Sequence, residues 1–365
     1  MFRHLTAIAM LTLLPAVAAR ADQPLLVRTE VFTSRSEGYH TYRIPAVVVT
    51  KEGTLLAFCE GRKTGRSDHG DLDLVLRRST DQGRTWEKMQ IVYEEGGDKK
   101  ITIGNPCPVV DQSTGVIWLP FCRDNNDVLI THSKDEGRTW AKPTVITSAV
   151  KEKDWGWYAT GPGNAIQLTR GKHKGRLVIP CDHRVKGRSK KWGRAGRSHT
   201  FYSDDHGKTW KLGKASDWGM NECAVVELAD GSLMLNMRSY RGRGRRGVAI
   251  SRDGGHSWSA SADDPTLIEP VCQASLIRHT WPEGERPGRL IFSNPASGKS
   301  RHRLTVRVSN DEGKSWPVGR MLVEGSAAYS SLVALPDGTI GCLLERDNYR
   351  RITFARFNLA WLTKQ

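Results

Sequence analysis

Apolar residues in this chain come in short runs bounded by turn residues. Residues 24–33, 43–50, 54–59 and 72–77 read as strands. Two more strands are expected within 102–127, on either side of an Asp-Gln-Ser-Thr-Gly turn. Residues 220–242 read as a hairpin turning at Asp230-Gly231. A strand should follow Tyr329 and end at Pro336-Asp337-Gly338, and residues 352–362 supply the last strand region.

Between these runs one phrase recurs five times: Ser-x-Asp-x-Gly-x-Thr/Ser-Trp. The copies are STDQGRTW (79–86), SKDEGRTW (133–140), SDDHGKTW (203–210), SRDGGHSW (251–258) and SNDEGKSW (309–316). Each has turn chemistry: the Asp accepts backbone N–H groups, the Gly supplies positive φ, and the Trp can plug an apolar slot. A period near fifty residues with strands between predicts an all-β fold, a β-propeller. At 365 residues the length suits about six blades.

The first residues change the picture of the mature chain. Arg3 and His4 precede an apolar run, and Ala16-Val17-Ala18 and Ala19-Arg20-Ala21 are small-residue cleavage sites. This predicts a leader over 1–21, an exported protein (periplasmic or secreted) and one catalytic domain over 22–365. The run is too short to span a bilayer, so no stable membrane insertion is expected. Seven cysteines, an odd and widely spaced set without a C-x-x-C pair, argue against a disulfide framework or a zinc site. The formal charge is +16 and concentrates in 183–197 and 240–247. These stretches read as solvated loops or as an attraction for polyanionic glycans, and no nucleic-acid motif accompanies them.

Several residues carry candidate chemistry. Tyr42-Arg43-Ile44-Pro45 precedes the first repeat. A polar Gly-rich loop, 60–70, holds Arg62 and Asp68, with Asp71 and Asp73 nearby as competing acids. The hairpin 220–242 brings Glu222 and Arg238 to one end. Arg301 stands six residues before Arg307, with Arg303 as its competitor, and Tyr329 and Glu345 follow. Asn105-Pro106 and 123–126 are expected to be loops, with the pocket mouth as the alternative setting. WYATGPGNAIQL (157–168) is not a phosphate loop, because no Lys-Ser/Thr or helix follows.

With the YRIP string, the five repeats (Asp-boxes) and the acidic, arginine and tyrosine positions together, the chain from Tyr42 to Leu362 resembles the exo-α-sialidases, or neuraminidases. The resemblance implies a six-bladed propeller that removes terminal sialic acids from glycoproteins, glycolipids and oligosaccharides. It implies Arg43, Arg238 and Arg301 as a triad for the substrate carboxylate. It implies Asp68 as acid/base, Tyr329 as nucleophile and Glu222 as the group that activates it. Arg62 would lie near the sugar's C4 substituent, Glu345 would orient Arg43, and 157–168 would lie beside the N-acyl group and glycerol tail. No metal or organic cofactor is implied. The alternatives on this scaffold are a trans-sialidase, a hydrolase of a related nonulosonic acid, and a non-catalytic glycan-binding protein. Linkage preference and oligomeric state are left open.

Overall fold

The computed structural model describes residues 23–364. The expected leader over 1–21, and residues 22 and 365 of the expected catalytic domain, lie outside the described residues. The chain is all-β and propeller-like, built from antiparallel sheets whose strands follow one another in sequence. The first sheet runs Thr41–Val49, Leu55–Arg62, Leu72–Ser79 and Gln90–Tyr93. The second pairs Ile117–Arg123 with Asp127–Ser133 and with the short segments Ile103–Gly104 and Val109–Val110. The third centres on Leu177–Val185 and Gly196–Ser203, with Trp155–Thr160 on its inner side. The fourth runs Met220–Glu227, Leu233–Ser239, Arg245–Ser251 and Ala262–Ile268. A seven-stranded sheet completes the set: its long strand Val318–Ala334 pairs with His302–Ser309 on one side and Ile340–Arg346 on the other. The first described strand, Leu26–Thr33, adds to the far edge of this sheet against Arg351–Phe357, so the first and last described strands pair with each other.

The five repeated phrases fold alike. In the third, Ser203 Oγ donates to Asp205 Oδ1 at 2.8 Å, and Gly207 N–H donates to Ser203 Oγ at 2.8 Å. Thr209 N–H and its hydroxyl then donate to the two Asp205 oxygens at 2.9 and 2.6 Å. The other four turns repeat these bonds around Asp81, Asp135, Asp253 and Asp311. Each turn also leans on the preceding sheet. A Cβ on Gly207 would meet the Trp118 indole at 2.2 Å, and one on Gly83 would meet the Phe354 ring at 2.3 Å. The tryptophans follow: Trp140 packs edge-on to Phe58, and Trp86 to Phe354. The phrase is therefore a bolt between neighbouring sheets.

Buried polar groups tie neighbouring strands that do not pair with one another. Val47 N–H of the first sheet donates to Ser331 Oγ of the seven-stranded sheet at 3.0 Å, and within the latter Leu332 N–H donates to Ser275 Oγ at 2.9 Å. The Gln273 amide donates to Pro162 O and Ser330 O and accepts from Ser330 N–H.

The structure corrects several boundaries. Tyr329 lies inside the strand Val318–Ala334 and does not open one. The region after Phe357 is the short helix Leu359–Thr363, started by the Asn358 side chain, which accepts from Trp361 N–H at 2.9 Å. The two basic stretches are not wholly solvated loops. His183 is fully buried in a strand, and Arg246 is fully buried on Glu269 at 2.7 Å. All seven cysteines are free and buried. Among the described residues no helix is long and apolar enough to cross a membrane.

Candidate active site

One cavity of about 330 Å³ gathers Arg43, Arg62, Asp68, Glu222, Arg238, Arg301 and Tyr329. Glu345 lies beneath its floor, 1% exposed. The residues come from three of the sheets, the first, the fourth and the seven-stranded one, and the backbone delivers three of them in the same way. Antiparallel register breaks between Arg43 and Ala46, between Met220 and Cys223, and between Ala327 and Ser330. Arg43, Glu222 and Tyr329 each sit at one of these breaks. A bulge re-aims a side chain that regular pairing would send to a blade face. At the first break Ile44 takes φ +61°, a strained setting for a β-branched residue.

Glu345 organises the floor. It accepts from Arg43 Nε at 2.7 Å, Ile44 N–H at 2.9 Å and Tyr329 N–H at 3.1 Å. The strained Ile44 backbone is therefore held by the carboxylate that also holds Arg43. Tyr349 covers Arg43 from the side: the guanidinium lies 4.2 Å from its ring, and the Tyr349 hydroxyl accepts from Arg301 at 3.4 Å.

Tyr329 donates its hydroxyl hydrogen to Glu222 Oε1 in a short contact. Arg238 Nη1 bridges the pair, 2.7 Å from Glu222 Oε2 and 3.2 Å from the Tyr329 hydroxyl. Burial and the Glu222 charge push the Tyr329 phenol well above its ordinary pKa, against the pull of Arg238 and Arg301. The phenol is neutral in this state. Behind Glu222, Asp182 is completely buried, and burial plus the Glu222 charge hold its pKa well above the usual carboxylate range.

Asp68 stands across the cavity on the loop between Leu55–Arg62 and Leu72–Ser79, with its side chain 73% exposed. Its Oδ1 lies 2.8 Å from Arg62 Nη1 and 3.6 Å from Arg43 Nη1. Partial burial raises its pKa, but the two guanidiniums outweigh it and the net shift is downward. Arg62 also donates to the carbonyls of Arg66 and Ser67 at 2.6 and 2.9 Å, so it shapes the loop that carries Asp68. Its remaining donors go to Glu60, at 3.0 and 2.6 Å. All three Arg62 nitrogens thus hydrogen-bond to the protein.

The competing residues fall elsewhere. Asp73 is buried under Tyr39, whose hydroxyl donates to it at 2.6 Å, and Asp71 pairs with Lys63 at 3.3 Å. Arg303 is exposed outside the cavity. Asn105 and Asn125 do reach the cavity wall. Of 157–168 only Trp157 lines it; the Gly-Pro-Gly segment instead packs inward, where a Cβ on Gly161 would meet Cys107 Sγ at 3.0 Å.

Sequence reading missed Glu60, Asn221, Tyr240, Tyr349 and the wall residues Arg184 and Trp192. Glu60 could have been found, because it stands two residues before Arg62 on the same face of one strand. Tyr349 carried no local signal: it ends a run of three non-glycine residues at positive φ, Asp347, Asn348 and Tyr349. Among the described residues no group of three or more His, Cys, Asp or Glu is arranged to hold a metal.

This geometry has parallels. A family model for a BNR repeat-like domain matches residues 53–342. A sialidase of Micromonospora viridifaciens is 38% identical over 363 residues, covering 93% of this chain and 55% of its own length. This chain therefore spans about half of that relative. An exo-alpha-sialidase of Aspergillus fumigatus is 34% identical and is matched over 86% of its length by 89% of this chain. The solved structure of the Hadza microbial sialidase Hz136 superposes with a TM-score of 0.79 at 31% identity, over 89% of this chain and 67% of that one.

Proposed function

The chain belongs to the BNR-repeat sialidases, and we propose that it is an exo-α-sialidase that hydrolyses terminal sialic acids from glycoproteins, glycolipids and oligosaccharides. The observation that carries this reading is the Tyr329–Glu222 contact, set among Arg43, Arg238 and Arg301 with Asp68 opposite. A sialic acid bears an ionised carboxylate on the carbon to be attacked. Three planar guanidiniums suit that carboxylate with charge-assisted bonds. A carboxylate nucleophile would meet like-charge repulsion there, whereas a neutral phenol would not. Sialidases with a tyrosine nucleophile are a known exception to the paired-carboxylate rule of glycosidases.

In this mechanism Glu222 takes the phenolic proton as Tyr329 Oη attacks the anomeric carbon. Asp68 gives a proton to the leaving oxygen, then removes one from the water that opens the glycosyl-tyrosine, with net retention. Without ligand, Arg62 and Arg43 favour ionised Asp68. A substrate carboxylate on Arg43 offsets part of that field and raises Asp68 toward the protonated form an acid needs.

The same reading takes the seven-stranded sheet as two four-stranded blades sharing Val318–Ala334, which makes six blades with five Asp-boxes. It includes export after cleavage near Ala21, which rests on the sequence alone.

The test is release of sialic acid from the 4-methylumbelliferyl α-glycoside of N-acetylneuraminic acid by the folded protein. Release in the wild type and its loss in Tyr329→Phe are expected. A folded, inactive wild type would overturn the reading.

A further inference from the structure

The arginines of the cavity differ in how they are neutralised. Arg43 pairs with Glu345, Arg62 with Glu60 and Arg238 with Glu222. Among the described residues Arg301 and Arg184 have no carboxylate within 4.0 Å. For Arg301 the proposed function supplies one, the carboxylate of the sugar. Arg184 has no such account. It spends one Nη2 donor on Ser189 O at 3.0 Å, and its Nε is buried without a partner.

Arg184 also stands where two cavities meet. With Trp157 it lines the active cavity, and the same two residues line a neighbouring one of about 470 Å³. The rest of that second cavity is Gly156, Val185, Lys186, Gly187, Ser189 and Lys190. It contains three cations and no carboxylate. Lys186 Nζ reaches only the Lys153 carbonyl, at 3.2 Å, and Lys190 is exposed. Trp192 buttresses the junction, its ring 5.2 Å from the Arg184 guanidinium and 4.9 Å from Trp157. An unpaired, part-buried guanidinium with two ammonium groups behind it favours an anion.

We propose that Arg184, Lys186 and Lys190 form a second anion subsite, which selects glycans bearing another acidic group near the sialic acid being removed. The chemistry it recognises is a sugar-borne anion, either the carboxylate of a second sialyl residue or a sulfate ester. This inference rests on the sialidase reading of the neighbouring cavity.

The experiment compares kcat/KM for 3′-sialyllactose, its 6-sulfated derivative and an α2,8-disialyl lactose. Wild type is set beside the double variant Lys186→Gln/Lys190→Gln and beside Arg184→Gln, with thermal melting as a check on folding. The wild type should prefer at least one of the doubly acidic substrates by about five- to tenfold at low salt, and the preference should shrink as salt rises. The lysine double variant should lose most of the preference and keep its rate on plain 3′-sialyllactose. Arg184→Gln should lose the preference entirely. Preference for only the sulfated or only the disialyl substrate would identify the anion. Equal kcat/KM values for all three substrates in the wild type, or a preference untouched in the variants, would overturn the subsite while leaving the sialidase reading intact. No release from any of the three by folded wild type would overturn both.

Discussion

Glu345 holds Arg43 across 302 residues of sequence, with Arg43 Nε donating at 2.7 Å. Both side chains are almost fully buried. The same carboxylate takes the Tyr329 N–H, so the carboxylate-binding arginine and the tyrosine that would attack are positioned by one group. Removing it should act on both.

Glu345→Ala leaves Arg43 buried without its counter-ion, a change that costs about 3–5 kcal/mol in buried pairs. We expect a lower melting temperature and a raised KM, while Glu345→Gln, which keeps the shape, loses less stability. Equal melting temperatures for wild type and Glu345→Ala would show that the pair does not support the fold.

Tyr329→Phe removes only the hydroxyl that donates to Glu222. Turnover should fall by roughly 10³-fold or more, with little change in melting temperature. In the wild type a 2,3-difluorosialic acid should add its mass to the peptide containing Tyr329. Labelling of another residue would move the nucleophile elsewhere.

Asp68 is held low by Arg62 and Arg43 in the free enzyme. An acid must be protonated, so kcat/KM should decline as pH rises through this depressed value. Arg62→Met removes the nearer positive charge and should move that decline to higher pH, with a lower maximum because the Asp68 loop loses two carbonyl contacts. A pH profile unchanged in Arg62→Met would remove Asp68 as the controlling acid.

Gly207 adopts φ +84°, and a Cβ there would meet the Trp118 indole at 2.2 Å. Gly207→Ala should destabilise the protein by about 1–3 kcal/mol, through backbone strain and overpacking together. Gly53, also at positive φ, has nothing within 4 Å of its Cβ position, and Gly53→Ala isolates the backbone component. Urea unfolding should rank Gly207→Ala well below Gly53→Ala.

The repeat aspartates give a pH signature. Burial would raise Asp205, but hydrogen bonds from the Thr209 hydroxyl and N–H and from Ser203 bring it down to about 2; Asp135 and Asp253 behave alike. A carboxylate depressed in the folded state adds stability above its unfolded pKa, near 3.9, and loses it as pH falls toward 2. Melting temperature should drop across that window, and Asp205→Asn should flatten the drop while lowering stability at neutral pH. An identical slope in wild type and Asp205→Asn would separate acid unfolding from these turns.

Much of this was legible in the chain. The five turns could be read because all their bonds close within an octapeptide, so Ser203, Asp205, Gly207 and Thr209 carry their own instructions. Glu222 and Arg238 could be paired because one hairpin joins them. Asp73 could be set aside because it alternates within its strand, and it is buried there; Asp71 and Arg303 could not be ranked against Asp68 and Arg301 from local signals. Asp71 is placed by its partner Lys63, which only folding supplies.

The sequence by itself determined the all-β architecture, through strand periodicity and a repeated turn whose hydrogen bonds are local. It also supplied the residue types that a carboxylate-bearing sugar demands. The tertiary structure alone decided where those side chains point. Arg43, Glu222 and Tyr329 reach one cavity because their strands break register, and because Glu345 bonds Arg43 across 302 residues while Arg238 bonds both its hairpin neighbour Glu222 and, 91 residues away, Tyr329. A bulge is set by pairing between strands and by partners hundreds of residues apart, and neither is written in the residues that bulge.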